Sequence, residues 1–311
     1  MSIALILSED RIAHWGAALL AAKPDLEIYQ DGDDIADIDY AFVWLPPPGK
    51  LAQFPNLKVI FSLGAGVDHV FNDPQLPDVP IVRVVDENLT KRMSEWVVMN
   101  VLMHHRQQSR YTEQQARKHW HELEQWSADE VRVGILGMGV IGLDSALRLR
   151  DLGFQVAGWS NSRKSIDGVE SFAGRGELKD FLNRTDILVN LLPHTPDTHH
   201  IMDMAFFETL ARDGVLEGPI VINGGRGGTQ VEEDIVRALN EGTLHGASLD
   251  VFETEPLPED HPLWDAPNLY IYPHVAAVSQ HDRIAAYVVG QITRYERGER
   301  LENIVDPARG Y

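Results

Sequence analysis

A glycine-rich segment of the chain has the spacing of a phosphate-binding turn. Gly137, Gly139 and Gly142 follow the apolar run 131–136 and precede the helix-like stretch 143–152. Between a strand and a helix, these glycines allow a tight turn, close approach to a pyrophosphate and close helix packing. The N–H groups at the start of the helix can then bind the phosphates. We therefore predict that a dinucleotide binds to the six residues of this turn, Gly137, Met138, Gly139, Val140, Ile141 and Gly142.

The loop after the next predicted strand indicates which dinucleotide binds. A protein that binds NAD would carry Asp or Glu about 20 residues beyond the glycines, to bond the ribose hydroxyls. This loop contains no carboxylate and carries two adjacent cations. The guanidinium of Arg163 can make a two-pronged contact with a 2′-phosphate, and Lys164 can act as a point charge. The predicted cofactor is therefore NADPH, with its 2′-phosphate near Ser160, Asn161, Ser162, Arg163 and Lys164.

Three polar residues stand at or beyond the ends of predicted strands farther along the chain. Arg226 follows the run 220–223, Glu255 follows the run 246–251, and His274 follows the run 269–272. Open α/β sheets bind their ligands at the carboxyl ends of the strands. Their order and position make Arg226, Glu255 and His274 the candidate catalytic residues.

The elements that must position these residues alternate regularly along the sequence. Short apolar runs alternate with helix-like stretches, which is typical of doubly wound α/β domains with mainly parallel sheets. The first series of predicted strands is 3–7, 26–29, 40–45, 58–61 and 81–84. The second series is 131–136, 155–158, 187–192, 220–223, 246–251 and 269–272. Two Rossmann-like domains are therefore predicted.

The domain boundaries follow from the gap between the two series. We assign residues 1–98 and 280–311 to the first domain, because the amphipathic stretch near the C-terminus is predicted to pack back on it. Residues 99–279 form the predicted nucleotide-binding domain. Within it, 100–126 is a candidate dimerisation arm. Its long polar part is either a connecting helix or an arm that crosses to a partner subunit.

The composition excludes several classes of protein. The 311 residues carry a net charge of −20, which disfavours binding to nucleic acid or to an anionic membrane. The chain has no cysteine, which fits a cytoplasmic protein and excludes disulfides and thiolate sites. It has no apolar run of about 18 residues, as a membrane span requires, and its N-terminus is predicted to be a strand. We expect no metal site.

Nearly the whole chain resembles the D-isomer-specific 2-hydroxyacid dehydrogenases. Four ordered motifs carry the resemblance: the glycine turn, Asn223 with Arg226-Gly227, Asp250-Val251-Phe252 with Glu255-Pro256, and Pro262-Leu263-Trp264 with Pro273-His274. Within that family the sequence is most similar to the glyoxylate/hydroxypyruvate reductase A type. That closer match rests on Trp159-Ser160 with Arg163-Lys164-Ser165, on Asn190-Leu191-Leu192-Pro193, and on Val305-Asp306 with Arg309-Gly310-Tyr311.

The resemblance implies a role for each candidate residue. Arg226 would anchor the carboxylate of a 2-oxo acid, His274 would give a proton to the keto oxygen, and Glu255 would hold the imidazole. The implied cofactor contacts also include Leu192, Pro193 and Asp250, the last near the nicotinamide amide. The active site would lie in the cleft between the two domains, and the implied assembly is a homodimer.

A turn of the first domain is expected to help bind the substrate. Leu63, Gly64, Ala65 and Gly66 follow a predicted strand, and exposed N–H groups in such a turn can bind a carboxylate. Trp44 matches a position that lines the substrate pocket in the closest type. The alternative for the turn is that it binds no ligand. The alternative for Trp44 is that it is a core residue.

The resemblance therefore implies reduction of glyoxylate to glycolate and of hydroxypyruvate to D-glycerate with NADPH. Two alternatives stay open at this stage. The same three catalytic residues could act on another 2-oxo or 2-hydroxy acid, or on phosphite. A protein of a different class, a non-catalytic dinucleotide sensor, would keep the fold but would not need Arg226, Glu255 and His274 together.

Overall fold

The computed structural model describes residues 1–29, 35–64, 66–71, 73–278 and 280–306. The chain divides into two compact units. The first comprises Met1–Leu89 and Ser279–Tyr311, and the second comprises Thr90–Val278. The boundary predicted after residue 98 falls inside the helix Glu87–His105, and the structure divides the chain within the first turn of that helix.

The first unit is built on a five-stranded sheet in which all strands run parallel. Its spatial order is β2-β1-β3-β4-β5, so the chain reverses direction across the sheet between β1 and β3. The strands are β1 (Ser2–Ile6), β2 (Glu27–Tyr29), β3 (Tyr40–Val43), β4 (Val59–Ser62) and β5 (Ile81–Val82). The helices of this unit are α1 (Glu9–Ala22), α2 (Asp68–Phe71) and, at the C-terminal end, α9 (His281–Glu296).

Helix α9 belongs to the first unit, as its amphipathic pattern predicted. Ile284, Val288 and Ile292 recur on one face and are buried in a core that also contains Trp15 and Leu19 of α1. This spacing of three and four residues places the side chains on a single helical face. The return of the C-terminal segment to the first unit is therefore explained by burial of this apolar face.

The second unit is built on a seven-stranded parallel sheet of order β12-β11-β10-β9-β6-β7-β8. The chain moves outward from β6 to β8 and then outward in the other direction from β9 to β12, which is a doubly wound topology. The strands are β6 (Arg132–Leu136), β7 (Gln155–Ser160), β8 (Glu170–Ala173), β9 (Ile187–Asn190), β10 (Ile220–Asn223), β11 (Gly246–Leu249) and β12 (Leu269–Ile271). The predicted pair of doubly wound α/β domains is thus confirmed.

The helices of the second unit pack against this sheet, whose central strands β9, β10 and β11 are buried along their whole length. They are α3 (Glu87–His105), α4 (Gln108–Ala116), α5 (Val140–Asp151), α6 (Leu178–Asn183), α7 (Met204–Thr209) and α8 (Glu232–Glu241). Short 3-10 turns lie at Ala128–Glu130, Arg175–Glu177, Gly227–Thr229 and Pro262–Asp265. Among the described residues, no helix has both the length and the apolar character needed to cross a bilayer.

Three local predictions need correction. Helix α5 begins at Val140 rather than at residue 143, so it starts within the glycine turn. Strand β8 was not predicted, because Glu170–Ala173 is a partly exposed edge strand without an apolar run. The polar stretch after α3 is helical only over Gln108–Ala116, and residues 117–126 continue without a helix.

Candidate active site

The three candidate catalytic residues lie at the same edge of the second unit's sheet. Arg226 follows β10, Glu255 lies in the segment after β11, and His274 follows β12. These three strands are neighbours and parallel, so their carboxyl ends meet at one edge. Sheet order alone therefore brings together residues that are up to 48 positions apart in sequence (274 − 226 = 48).

His274 and Glu255 form a hydrogen-bonded pair. The Nδ1 atom of His274 lies 2.8 Å from Oε2 of Glu255, and both side chains are 36% exposed. Nδ1 carries a proton in this hydrogen bond, because an ionised carboxylate can only accept. Nε2 is consequently the ring nitrogen that can exchange a proton with a reacting oxygen. This pair has the geometry of a general acid and base held by a carboxylate.

The surroundings of Glu255 favour its charged form. Burial acts to raise its pKa, but the hydrogen bond and charge of His274 outweigh this effect, and the pKa of Glu255 lies below its ordinary value. The charge of Arg226 and a hydrogen bond from the Phe252 N–H act in the same direction as His274. That backbone N–H donates to Oε1 at 3.0 Å. Glu255 is thus an anion with both oxygens engaged.

Asp250 anchors the chain segment that follows His274. Its Oδ1 accepts hydrogen bonds from the backbone N–H groups of Val275 and Ala276 at 2.8 and 3.1 Å, and its Oδ2 accepts from Ala276 at 3.0 Å. Asp250 is 1% exposed, and this burial raises its pKa against the effect of those hydrogen bonds. The carboxylate therefore fixes the backbone next to His274. Its predicted contact with a cofactor stays a prediction.

The backbone around Arg226 is fixed by buried side chains. The Asn223 Oδ1 accepts from the Gly225 N–H at 2.9 Å, while its Nδ2 donates to the Arg226 carbonyl at 3.2 Å. The Thr229 hydroxyl donates to the same carbonyl at 2.6 Å. Asn223 and Thr229 are fully buried, so water does not compete for these bonds. The guanidinium is half-buried at the sheet edge and donates to the Gly225 carbonyl at 2.9 Å.

Gly227 lets the Arg226 turn pack directly on the segment that leads to Glu255. A Cβ at Gly227 would lie 2.0 Å from the carbonyl carbon and oxygen of Phe252. Only glycine fits this approach without displacing one of the two backbones.

Replacing Gly227 with alanine should therefore separate the two segments. We expect Gly227→Ala to lower the free energy of unfolding by about 1–3 kcal/mol, a usual cost of overpacking, and to lower kcat/KM roughly 10-fold or more. Chemical denaturation and steady-state kinetics measure these effects. Gly290→Ala is the matched control, because Gly290 is an exposed residue of α9 with open space around a Cβ. Wild-type stability and kinetics in Gly227→Ala would contradict this packing argument.

The glycine turn between β6 and α5 has the shape that a pyrophosphate requires. Gly137 has a φ of 97°, and a Cβ there would lie 2.8 Å from the Leu191 carbonyl oxygen. A Cβ at Gly142 would lie 2.0 Å from the Gly137 carbonyl oxygen. Gly139 is exposed, with no atom within 4 Å of a Cβ position, directly before the first residue of α5. The turn thus presents an open helix N-terminus, which fits a bound phosphate group.

The other predicted residues of this turn differ in whether their side chains are exposed. The Met138 side chain is buried, and its thioether fills the space beside Gly158, where a Cβ would lie 2.4 Å from the sulfur. Val140 is exposed on the first turn of α5, and Ile141 is half-buried. Met138 therefore has only its backbone available for a ligand.

The turn lies at the point where the strand order reverses. β6 and β9 are neighbours, and the chain leaves them toward opposite edges of the sheet. The segment after β9 contains Leu192, which is buried in the core, and the half-buried Pro193. Ligands of doubly wound sheets bind at this reversal. The position supports the assignment of Leu192 and Pro193 to the cofactor, although the Leu192 side chain faces the core.

The basic loop after β7 is exposed and tied to the strand that the sequence did not predict. The Ser160 hydroxyl donates to the Ser162 carbonyl at 2.8 Å, and Asn161 is exposed between them. Arg163 donates to the Ser171 carbonyl and forms an ion pair with Glu177. The Lys164 N–H donates to the Ser171 hydroxyl at 2.9 Å.

This arrangement sets the two cations at the end of β7. It fits the 2′-phosphate of an NADP cofactor, because a guanidinium and an ammonium stand where an NAD site would carry a carboxylate. Ser171 and Glu177 were not identified from sequence. Their partner Arg163 is 8 and 14 residues away, and only the pairing of β7 with β8 brings them near.

The predicted substrate residues of the first unit lie at the carboxyl ends of β3 and β4. Trp44 follows β3, and its ring covers Gly64, where a Cβ would lie 2.6 Å from the indole. Leu63 is buried, so only its backbone could reach a ligand. The Ser62 hydroxyl donates to the Gly66 carbonyl at 3.1 Å. Ala65 lies outside the described residues, and the role of this turn stays a prediction.

Within the second unit, the fold and site define an α/β protein of the dinucleotide-binding type with a histidine–carboxylate pair and an arginine at strand ends. Residues 98–276 match the family model described as D-isomer specific 2-hydroxyacid dehydrogenase, NAD binding domain. The glyoxylate/hydroxypyruvate reductase A of Yersinia enterocolitica is 40% identical over 304 residues, which cover 96% of each chain. The chain therefore belongs to the D-isomer-specific 2-hydroxyacid dehydrogenase family, as its motifs predicted.

Two solved structures are similar over 100% of this chain and 99% of theirs. One is the NADPH-dependent glyoxylate/hydroxypyruvate reductase of Sinorhizobium meliloti in complex with NADP and sulfate, with 47% identity and a TM-score of 0.95. The other is a probable 2-hydroxyacid dehydrogenase of Rhizobium etli in complex with NADP, HEPES and L(+)-tartaric acid, with 47% identity and a TM-score of 0.93.

Proposed function

We propose that this protein uses NADPH to reduce glyoxylate to glycolate and hydroxypyruvate to D-glycerate. The observation that carries the proposal is the His274–Glu255 pair beside the Arg226 turn, at the edge of a dinucleotide-binding sheet. The Sinorhizobium meliloti and Yersinia enterocolitica relatives, both glyoxylate/hydroxypyruvate reductases, support the choice of substrates. A non-catalytic sensor would not need this arrangement of proton donor, carboxylate and arginine.

Each catalytic side chain has a defined role in the proposed reaction. Arg226 binds the substrate carboxylate with its planar guanidinium and polarises the adjacent carbonyl. The protonated imidazole of His274 gives its Nε2 proton to the keto oxygen as C2 is reduced. Glu255 holds the imidazole through Nδ1 and stabilises its positive charge. C2 would receive its hydride from a bound NADPH. One hydride and one proton convert the 2-oxo acid to the 2-hydroxy acid.

The cofactor is assigned to four segments of the second unit. The turn from Gly137 to Gly142 would bind the pyrophosphate, and the loop from Ser160 to Lys164 would bind the 2′-phosphate. Leu192 with Pro193, and Asp250, complete the proposed contacts. The open helix N-terminus at Gly139 and the cations at the end of β7 support this assignment.

A steady-state panel tests the proposed substrates. Glyoxylate, hydroxypyruvate, pyruvate and a bulky 2-oxo acid are each supplied with NADPH and with NADH, and phosphite is supplied with NADP⁺. We expect the highest kcat/KM with NADPH and either glyoxylate or hydroxypyruvate. A clear preference for a bulky 2-oxo acid or for phosphite would overturn the substrate assignment while leaving the catalytic residues intact.

Arg163 is expected to account for much of the preference for NADPH over NADH. Arg163→Ala should raise the KM for NADPH roughly 10- to 100-fold, because a charge-assisted hydrogen bond to phosphate contributes about 1.5–3 kcal/mol. The KM for NADH should change little, since NADH has no 2′-phosphate. Arg175→Ala is the matched control, because Arg175 is an exposed arginine whose ion pair is with Asp197. Equal losses for both cofactors in Arg163→Ala would place the 2′-phosphate elsewhere.

We also propose that the protein is a homodimer joined through the arm 100–126 and acts in the cytoplasm. The Trp120 side chain is 97% exposed on this arm, and burial against a second copy would remove an apolar ring from water. Within the arm, the segment 117–126 is held to α4 by a hydrogen bond from the Leu123 N–H to the Tyr111 hydroxyl at 3.2 Å. Sedimentation equilibrium measures the assembly. The cytoplasmic location rests on the lack of cysteine and stays a prediction.

A further inference from the structure

A hydrogen-bonded network of buried polar side chains connects the turn that carries Arg226 with the segment that leads to Glu255. It begins at Asn223 at the end of β10, whose Nδ2 donates to Oε1 of Gln230 at 2.7 Å. The Gln230 Nε2 donates to the Val251 carbonyl at 3.0 Å and lies 3.3 Å from Oε1 of Glu232. The same Glu232 oxygen accepts from the Glu253 N–H at 2.8 Å. The network thus ends on two backbone groups of the segment that leads to Glu255.

Those two backbone groups flank the one that holds the catalytic carboxylate. Gln230 fixes the carbonyl of Val251, and Glu232 fixes the N–H of Glu253. Between them lies Phe252, whose N–H donates to Oε1 of Glu255. The Val251 carbonyl and the Phe252 N–H belong to one planar peptide, so Gln230 fixes the direction of this N–H, while Glu232 fixes the next peptide along the chain. The direction of the Phe252 N–H sets where the Glu255 carboxylate meets His274.

The burial of these side chains argues for a positional role beyond simple stability. Gln230 is fully buried and Glu232 is only 6% exposed. Burying an amide and a carboxyl is costly, and well-packed apolar residues often stabilise a fold equally well. Burial also raises the pKa of Glu232, against the effect of the bond from the Glu253 N–H. A buried polar network repays its cost where it fixes groups in one geometry.

Glu232 makes a further contact with the same loop. Its Oε2 lies 3.3 Å from Nε2 of His261, and the Nδ1 of His261 accepts from the Leu263 N–H at 3.3 Å. Glu232 therefore connects the first turn of α8 to both sides of the loop that contains Glu255. The acidic first turn of α8 also suits the partial positive charge at a helix start.

We propose that Gln230 and Glu232 are positioning residues that fix the Phe252 N–H, and through it the Glu255 carboxylate that orients His274. This inference rests on the proposed roles of Glu255 and His274. Neither Gln230 nor Glu232 reaches the reacting atoms in the proposed mechanism. They act on the reaction by keeping the carboxylate and the imidazole in one arrangement.

Two variants remove the hydrogen bonds that Gln230 or Glu232 makes to the backbone, and a third variant keeps the bond of residue 232. Gln230→Met and Glu232→Met keep the side-chain length and lose the hydrogen bonds, and we expect each to lower kcat roughly 10- to 100-fold through misplacement of the proton donor. Glu232→Gln keeps an oxygen that can accept from the Glu253 N–H, and should retain kcat within about threefold of the wild type. The pH profile of kcat should change in the two Met variants alone, because Glu255 no longer holds the imidazole in one position.

The control separates positioning from loss of stability. Thr185 is fully buried, and its hydroxyl donates to the Phe181 carbonyl at 2.7 Å at the amino end of β9, remote from the strand ends that carry the site. Thr185→Val should lower the melting temperature, as the Met variants do, and leave kcat and the pH profile unchanged.

A second readout does not need turnover. In protein labelled with 15N-histidine, the Nδ1 proton resonance of His274 reports its bond to Glu255, and we expect it to shift or exchange faster in the two Met variants and to persist in Glu232→Gln. If the wild type reduces no oxo acid and the resonance still changes, the proposed function fails and the positioning role stands. If the resonance and the pH profile of both Met variants match the wild type, the positioning role is overturned.

Discussion

Replacing His274 with alanine is expected to lower kcat for glyoxylate by roughly 10²- to 10⁴-fold, the usual effect of losing a general acid. His274 is the imidazole in the described structure that forms a hydrogen bond with Glu255 at the sheet edge. Without it, water must protonate the keto oxygen. The pH dependence of kcat should also differ between His274→Ala and the wild type, because the variant lacks the proposed proton donor. Steady-state rates at saturating NADPH across a pH series measure both effects.

The control for this variant is a histidine with no place in the site. His14 is exposed on α1, and His14→Ala should keep the wild-type kcat and pH profile. Circular dichroism and the KM for NADPH establish that His274→Ala is folded and binds its cofactor. A folded His274→Ala enzyme that turns over at near wild-type rate would remove His274 from the mechanism.

Arg226→Ala is expected to lower kcat/KM for glyoxylate by roughly 10²- to 10⁴-fold. Two charge-assisted hydrogen bonds to a carboxylate are worth about 1.5–3 kcal/mol each, and alanine loses both. The loss should appear in both KM for the oxo acid and kcat, because the guanidinium also polarises the carbonyl. The KM for NADPH should change little. Initial rates with each substrate varied in turn separate these contributions.

Arg226→Lys distinguishes charge from geometry. Lysine keeps the positive charge but lacks the planar fork, so its kcat/KM should lie between those of the wild type and Arg226→Ala. Full activity in Arg226→Lys would mean that charge alone is needed. An unchanged KM for glyoxylate in Arg226→Ala would show that the substrate carboxylate binds elsewhere.

The position of these residues follows from features that a sequence expresses directly. Apolar runs mark the buried strands, and in a doubly wound sheet polar residues just after such runs converge at one edge. Arg226, Glu255 and His274 satisfy this rule, so their position at one edge of the sheet could be predicted without coordinates. The hydrogen bond of 2.8 Å between His274 and Glu255 could not, because it depends on the path of the loop between β11 and β12.

Other features have little or no signal in the sequence. Strand β8 is a short, partly exposed edge strand, and periodicity does not separate such a strand from a loop. Its Ser171 holds Arg163 and Lys164, so the prediction of a basic site lacked the groups that position it. Gln230 and Glu232 acquire their importance only from the backbone groups that folding brings beside them.

A motif match also does not show whether a residue contacts the ligand through its side chain or through its backbone. Met138, Leu192 and Leu63 were predicted at binding segments, but their side chains are buried in the cores of the two units. The physical reason is that a turn beside a buried strand must place alternate side chains into the core. For such residues, the motif predicts a backbone position rather than a side-chain contact.

The central claim is that this protein transfers a hydride from NADPH to C2 of glyoxylate. The most direct test supplies the enzyme with NADPH that carries two deuterium atoms at C4 of the nicotinamide, together with glyoxylate, and analyses the product by mass spectrometry and NMR. We predict glycolate with one deuterium at C2, formed in equal amount to the NADP⁺ produced. If NADPH binds and neither glyoxylate nor hydroxypyruvate yields a deuterated hydroxy acid, the claim is wrong.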